Sequence, residues 1–306
     1  MIKLKKDFKI LLIIITSFIL IINLCLAQNK QSKAILGFYS PDINSSGSIV
    51  KESFSQWVEE IRKLSTYKPF KTLIVEPHFY NTPDELYKDV YNNSLDIINI
   101  SSWDYYKLKF TNRLKPILVA SSNEKEKKER FYLIKHISNP VENVEQLINQ
   151  KIVLPKFNSV QLAKSWLQVE LYDKLGKKKY RTIKIVESRN NDNYELYSVF
   201  FKRIDYAVIR ESSYLTAAEL NPQLRKQISI LAKSSGYIYY FAAARRNFDE
   251  ELCNEIKKVG MNLHTSVAGK QILNLMRGAR IFPISEEDLR ESKELFNKYN
   301  IIFNNY

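Results

Sequence analysis

The stretch that most constrains the fold is Leu95–Ile100, a nearly continuous apolar run that carries one acid, Asp96. Such a run is typical of a strand buried in a parallel sheet. It is followed at once by Ser101, Ser102 and Trp103. In open α/β sheets, ligands bind just outside the carboxyl ends of the strands. These hydroxyls and aromatic rings therefore either hold a small molecule or form an ordinary core-packing turn after the strand.

The segments before this run alternate between strand and helix patterns. Residues 34–39 and Lys71–Val75 read as strands, and a helix with an apolar face lies between them. A second helix opens at Thr82, with Pro83 in its first turn and Glu85 in the capping-box position. Strands that alternate with helices indicate a parallel sheet with both faces covered, so the fold class is α/β.

The second half of the chain repeats this order. Thr72–Glu76 resembles Ile183–Glu187, and an acid enters each later strand, Asp96 in one half and Asp205 in the other. The matching segments are offset by 111, 110 and 109 residues. This order predicts two similar lobes, in which Arg210 and the residues after it correspond to Ser101–Tyr105.

Two pairs of extended segments interrupt the repeat and predict crossings between the lobes. Residues 114–121 and 129–135 form the first pair, and residues 228–233 and 237–244 form the second. We therefore expect one lobe from residues 28–118 plus 233–306, and the other from residues 119–232. The last helices should pack back on the first lobe. Discontinuous lobes joined by two crossing strands imply hinge closure around a ligand.

The first 27 residues have the pattern of a secretory signal peptide. Four lysines and one aspartate precede an apolar run, and Cys25-Leu26-Ala27 offers small residues for cleavage after Ala27. A retained membrane anchor is the alternative, because the run approaches the roughly 20 residues that a bilayer requires. Cleavage would leave Cys253 as the only cysteine, so no internal disulfide could form. The expected location is the periplasm.

Charge and motifs exclude several classes of function. The net charge is +14, of which the leader contributes +3, and the basic runs are interleaved with glutamate or lie in loops. A solvated surface explains these runs better than nucleic-acid binding. Only three histidines occur, without metal-ligand spacing, and no nucleophile, phosphate-binding or dinucleotide motif is present. We therefore expect no enzyme activity, no cofactor and no metal.

The order of elements resembles the periplasmic substrate-binding proteins of type II fold, and within them the phosphate/phosphite/phosphonate-binding family of ABC transporters. The matching segments are Leu36–Pro41, Leu95–Tyr105, Arg203–Val208, Ile230–Ser235 and Ala268–Leu273. The resemblance implies a two-lobed fold and capture of a small ligand for a permease. Family members that hold phosphonate usually present a Ser/Thr run where this chain reads Lys156–Gln161, with one hydroxyl and one amide. This departure argues against phosphonate itself.

The predicted ligand site combines strand ends and a helix start from both lobes. Ser159 would cap a helix whose N–H groups favour negative charge, and Arg210 would bind a carboxylate or phosphate unless it is a surface arginine. Asp205 would serve either the ligand or a helix end. The candidates are Tyr39, Ser101, Ser102, Trp103, Asn158, Ser159, Asp205 and Arg210. We expect a monomer that binds an anion or zwitterion and delivers it to an ABC permease; the alternative is a bilobed sensor or interaction module that reports to a membrane protein.

Overall fold

The computed structural model describes residues 33–39, 58–59, 61–80, 82–121, 126–156, 160–275 and 278–303. The predicted signal peptide at residues 1–27 and the candidates Asn158 and Ser159 lie outside the described residues. The strands are β1 (Lys33–Tyr39), β2 (Ile74–Tyr80), β3 (Ile97–Ser101), β4 (Leu114–Ser121), β5 (Phe131–His136), β6 (Lys151–Leu154), β7 (Lys184–Glu187), β8 (Tyr206–Arg210), β9 (Ile228–Lys233), β10 (Tyr240–Arg245) and β11 (Arg280–Pro283).

Helices connect these strands in the alternating order that the sequence predicts. They are α1 (Lys68–Lys71), α2 (Pro83–Tyr91), α3 (Ser102–Lys107), α4 (Val160–Tyr180), α5 (Asp192–Phe200), α6 (Glu211–Leu220), α7 (Gln223–Gln227), α8 (Glu250–Asn262), α9 (Val267–Leu275) and α10 (Arg290–Phe303). Within the part of the chain that the structure describes, none of the helices has the length and apolar character needed to cross a membrane.

The first lobe is built on a six-stranded mixed sheet with the order β11-β4-β10-β3-β1-β2. Strand β1 runs parallel to both β2 and β3, whereas β10 runs antiparallel to β3 and β4. A side chain at Gly37 of β1 would be crowded, because a Cβ there would lie 2.8 Å from Leu95 Cδ1 and 3.1 Å from a ring carbon of Tyr80. The glycine thus allows Leu95 and Tyr80 to pack directly on the strand.

The second lobe repeats the plan with five strands in the order β7-β6-β8-β5-β9. Strand β6 runs parallel to β7 and β8, and the antiparallel strand β5 pairs with β8 and β9. In each lobe, the strand that follows a crossing runs antiparallel to its neighbours: β10 in the first lobe and β5 in the second. The two-lobed α/β fold predicted from the sequence is therefore confirmed.

Both faces of β3 are buried, as its apolar run predicts. Ile98 and Ile100 belong to one hydrophobic cluster, and Ile97 belongs to the cluster on the other side of the sheet. Helices cover the corresponding strand β8 in the same way, with Val208 on one side and Ala207 and Ile209 on the other. Strands covered on both faces bury their apolar residues almost completely, which favours their central place in each sheet.

The structure shows where the chain passes between the two lobes and which lobe the last helix contacts. Strand β4 stays in the first sheet through Ser121, and β9 stays in the second sheet through Lys233. The last helices are expected to pack on the first lobe, and α10 contacts the second lobe as well. This helix contacts α3, and its residues Leu295 and Tyr299 join the core of the second lobe against α4. Helix α10 therefore bridges both lobes.

Candidate functional site

A large cavity lies between the lobes and is continuous with one face of the first sheet. Its volume is about 1220 Å³. Side chains from both lobes and from both crossing segments line the part between the lobes. These residues include Tyr39 and Asp104 from the first lobe, Glu129, Tyr237 and Tyr239 from the crossings, and Lys156, Arg189, Asn191, Asp192, Arg210 and Ser212 from the second lobe.

Two equivalent strand-to-helix junctions supply part of this wall. Strand β3 ends at Ser101, which caps α3: its Oγ accepts the Asp104 N–H at 3.0 Å and donates to Asp104 Oδ2 at 2.6 Å. Strand β8 ends at Arg210, the residue that precedes α6. The sequence repeat pairs these two positions at an offset of 109 residues. The structure thus presents the same junction to the cavity from each lobe.

The guanidinium of Arg210 is held by Asp192. Arg210 Nε donates to Asp192 Oδ2 at 2.7 Å and a terminal nitrogen donates to Oδ1 at 3.2 Å, while Ser213 Oγ donates to Oδ2 at 2.6 Å. Burial acts to raise the pKa of Asp192, but the hydrogen bonds and charge of Arg210 outweigh it and hold the pKa below its usual range. Much of the positive charge of Arg210 is therefore matched within the protein.

Glu129, in the first crossing, lies over the start of α6. Its carboxylate accepts the Ser212 N–H at 3.2 Å and the Ser212 hydroxyl at 2.5 Å. Burial raises the pKa of Glu129, although the bonds from Ser212 and the nearby charge of Arg210 act against that shift. The Glu129 backbone also exchanges hydrogen bonds of 2.9 and 2.8 Å with Tyr237, which ties the two crossings together.

Asp104 faces the cavity from the first lobe beside Tyr39. Burial raises the pKa of Asp104, and the hydrogen bond from Ser101 and the charge of Lys107 only partly oppose it. Burial and the negative charge of Asp104 together raise the pKa of the Tyr39 hydroxyl. A partly buried carboxylate and two tyrosine rings, Tyr39 and Tyr239, therefore share one cavity.

A charged network supports the second-lobe wall. Glu211 accepts hydrogen bonds from Arg130 at 2.9 Å, from Lys233 at 3.1 Å and from the hydroxyl of Tyr132. Burial acts to raise the pKa of Glu211, but these three donors outweigh it and lower the pKa. The network joins β5, β9 and α6 and so fixes the helix start at the cavity.

The family model described as ABC transporter, phosphonate, periplasmic substrate-binding protein matches residues 44–289 of the chain. The chain belongs to this family. Its members are solute-binding proteins rather than enzymes, and they act in the periplasm. A comparison with curated protein sequences finds no significant match.

Solved structures of periplasmic binding proteins have the same fold as this substrate-binding protein. XAC2383 from Xanthomonas citri, bound to chloride ion, is 12% identical with a TM-score of 0.60, over 90% of this chain and 100% of that one. PhnD1 from Prochlorococcus marinus, in complex with methylphosphonate, is 14% identical with a TM-score of 0.56, over 89% and 99%. At such identities the similarity establishes the fold alone.

The structure brings some of the predicted site residues to the cavity and places others elsewhere. Tyr39 and Arg210 line the cavity, and Ser101 holds Asp104 there. Ser102 is fully buried, and its N–H donates to the Tyr239 carbonyl at 2.8 Å. Lys156 and Val160, which flank the positions of Asn158 and Ser159, also line the cavity.

Trp103 and Asp205 lie away from the cavity wall described above. Trp103 packs edge-on against Phe296 and Tyr299 of α10, with ring centroids 5.1 and 5.2 Å apart. Asp205 is exposed at the start of β8, the end opposite Arg210. Its first-lobe counterpart Asp96 is structural: it accepts the Ile35 N–H at 2.8 Å and pairs with Arg245 at 2.7 Å.

Four residues line the cavity without being predicted from the sequence as site residues: Asp104, Glu129, Asp192 and Tyr239. Asp104 lies only three residues after Ser101, so a capping pattern could have identified it. Asp192 begins α5 in the second-lobe repeat. Glu129 and Tyr239 carry no local signal, because only the crossing geometry brings them to the cavity. No group of three or more His, Cys, Asp or Glu side chains in the described ranges is placed to hold a metal ion.

Proposed function

We propose that this substrate-binding protein captures a small anionic or zwitterionic ligand in the interlobe cleft and delivers it to an ABC permease. The cavity between the two lobes carries the proposal, because both lobes and both crossings contribute polar and aromatic side chains to its wall. Closure of two lobes over a ligand is a common use of such hinged architecture. Membership of the family supports the coupling to transport.

The proposed ligand contacts are Tyr39 and Arg210, together with Asn158 and Ser159, which precede α4 in the sequence. Arg210 is fixed by Asp192, so it offers a preorientated guanidinium rather than a flexible one. Ser101 acts indirectly by holding Asp104. We do not include three of the predicted residues among the ligand contacts. Ser102 is buried in the core, Trp103 packs against α10, and Asp205 is exposed at the surface.

The proposed function includes export through a cleavable signal peptide. The basic start, apolar run and small residues before Gln28 support cleavage after Ala27. Mass spectrometry of the protein recovered from the periplasm should find a mature N-terminus near Gln28. A retained leader on that protein would instead favour a membrane-anchored form.

A ligand screen by thermal shift tests the function. A ligand that binds only the folded state should stabilise it by about 2.7 kcal/mol at a hundredfold excess over its dissociation constant. Arg210→Ala should remove most of that stabilisation, whereas Arg203→Ala, a change at an exposed arginine before β8, should retain it. Failure of every compound in a broad solute library to stabilise the wild-type protein would contradict ligand capture.

Transport and sensing require different partners for the ligand-bound protein: a permease for transport and a membrane sensor for sensing. Uptake of the identified ligand should depend on both this protein and a permease encoded beside it. Genes for a kinase or cyclase beside this one, with uptake independent of the protein, would favour the bilobed sensor instead.

A further inference from the structure

The inner wall of the cleft contains two carboxylates that have no cationic partner among the described residues. Asp104 is bonded to the Ser101 hydroxyl, and Glu129 is bonded to Ser212 and to the Arg130 N–H at 3.2 Å. By contrast, Asp192 is paired with Arg210, and Glu211 is paired with Arg130 and Lys233. Burial raises the pKa of both carboxyl groups, and the charges of Lys107 near Asp104 and of Arg210 near Glu129 only partly oppose that rise. A cation bound beside them would offset the remaining cost of their burial.

Three basic side chains that line the cavity are paired with other acids. Lys127 pairs with Asp288, just before α10, at 2.5 Å, and Lys128 pairs with Glu291, in the first turn of α10, at 2.6 Å. Arg210 pairs with Asp192. Lys156 and Arg189, on the second-lobe wall of the same cavity, form no ion pair with a described residue, so charges of both signs remain available to a ligand in the cleft of this chain of net charge +14. The overall charge does not describe the local field that a ligand meets.

Glu129 also occupies the donors at the start of α6. A helix N-terminus offers N–H groups and a positive dipole end to an anion, but here the Glu129 carboxylate accepts the Ser212 N–H and hydroxyl. A phosphonate or phosphate placed at this junction would displace Glu129 or lie against its charge. The junction thus disfavours a simple anion.

We propose that Glu129 determines the specificity of the cleft: it fills the α6 N-terminus and, with Asp104, selects a zwitterion whose ammonium group faces these two carboxylates. This inference rests on the ligand-binding function proposed above. The tyrosine rings of Tyr39 and Tyr239 line the same cavity and suit a cation, since aromatic faces attract ammonium groups. Lys156 and Arg189, both exposed at the second-lobe wall, face the anionic end of the ligand.

The test compares pairs of compounds that differ by one ammonium group, such as aminomethylphosphonate with methylphosphonate and glycine with acetate, within the solute library. Thermal shift and titration calorimetry at pH 7 would measure binding to the wild type and to Glu129→Gln. Each stabilising zwitterion should bind the wild type at least tenfold more tightly than its partner without the ammonium group. Glu129→Gln should reduce that ratio about tenfold, because the amide carries no charge.

Two further variants separate charge selection from general effects. Asp104→Asn should reduce the same ratio, and it replaces Glu129→Gln as the test if that variant fails to fold. Glu219→Gln removes an exposed charge near the far end of α6 and should leave the ratio unchanged.

The outcomes distinguish this inference from the function on which it rests. Stabilisation by simple anions as strong as that by their ammonium-bearing partners would overturn the specificity role and leave ligand capture intact. A ratio that is the same in Glu129→Gln as in Glu219→Gln would overturn it as well. If no compound stabilises the wild type, the proposed function fails and the specificity role fails with it.

Discussion

At the residue scale, the cleft holds acids of two kinds, Asp192 being buried and the others partly buried. Asp192 and Glu211 have cationic partners that hold their pKa values below the usual range, despite the opposing effect of burial. Burial raises the pKa values of Asp104 and Glu129, and neither carboxylate forms an ion pair with a described residue, so the nearby charges of Lys107 and Arg210 oppose the rise only in part. The first kind stabilises the second-lobe wall, and the second kind is costly until something positive binds.

The raised pKa of Glu129 predicts a pH-dependent effect of its removal. A carboxyl whose pKa is higher in the folded state binds more protons there, so its contribution to the free energy of unfolding falls as pH rises above the unfolded value of about 4.3. Glu129→Gln should therefore raise the melting temperature of the ligand-free protein at pH 7, and the gain should disappear near pH 4.5. Thermal melts of both proteins from pH 4.5 to 8 measure it. A difference that stays constant with pH would contradict the prediction.

The two entry acids, Asp96 and Asp205, provide a second test at this scale. Removal of one partner from a buried ion pair costs about 3–5 kcal/mol, and the partial exposure of Arg245 reduces the expected loss for Asp96→Ala to about 2 kcal/mol. Asp205→Ala changes an exposed position and should stay within about 0.5 kcal/mol of the wild type. Urea unfolding measures both. An equal loss of unfolding free energy in the two variants would contradict the prediction, because it would show that Asp205 stabilises its lobe as much as Asp96 does.

At the scale of elements, the strand-to-helix junctions are the units that the two lobes share. Each of β3 and β8 is buried on both faces and passes directly into a helix at the cleft, through Ser101 in one lobe and Arg210 in the other. The residues differ but the geometry is the same. The junction in the first lobe also carries Trp103, which α3 directs toward α10 instead of the cavity.

The contact of α3 with α10 predicts the effect of Trp103→Ala. Truncation of a core Trp costs about 3–5 kcal/mol, and because Trp103 is only partly buried we expect about 2 kcal/mol. The ligand stabilisation found in the screen should be retained at a temperature where the variant is folded. Trp103→Phe serves as the control, since it keeps an aromatic contact with Phe296 and Tyr299. If Trp103→Ala loses ligand binding but keeps its stability, the prediction is wrong and Trp103 is a ligand contact.

At the scale of the whole molecule, three connections join the lobes. Two are the crossings, which Glu129 and Tyr237 tie together by backbone hydrogen bonds. The third is α10, which packs its aromatic residues on α4 and donates the Ser292 hydroxyl to the Ile238 carbonyl at 3.3 Å. A hinge closed by ligand must therefore bend at the crossings while α10 adjusts against both lobes.

Hinge closure predicts a smaller radius of gyration in the ligand-bound protein. Small-angle X-ray scattering with and without a saturating concentration of the ligand from the screen would measure the change. Arg210→Ala should show no change under the same conditions, because it loses the proposed contact. An unchanged radius for the wild type, with binding shown by calorimetry, would mean that the cleft binds without closing.

Local pattern in the sequence determined the fold class and the repeat. The apolar run at residues 95–100 predicts a strand buried on both faces, and the cap at Thr82 followed by Pro83 and Glu85 starts α2, because these signals depend on close neighbours in the chain. Some boundaries were displaced: the strand predicted at Lys71–Val75 is β2 at Ile74–Tyr80, since Lys68–Lys71 forms a helical turn first. Ser101 and Arg210 could be paired from the sequence for the same reason.

Only the tertiary structure decided which side chains meet in the cleft. Glu129 and Ser212 are 83 residues apart, and they become neighbours because the first crossing returns past the start of α6. Trp103 is an aromatic residue just after a strand end, as many ligand contacts are, but here it packs against α10 in a hydrophobic core. Asp96 and Asp205 look alike in the sequence, yet one has Arg245 beside it and the other faces solvent. Local pattern fixes which element a residue occupies, and long-range packing fixes its partners and thus its charge environment.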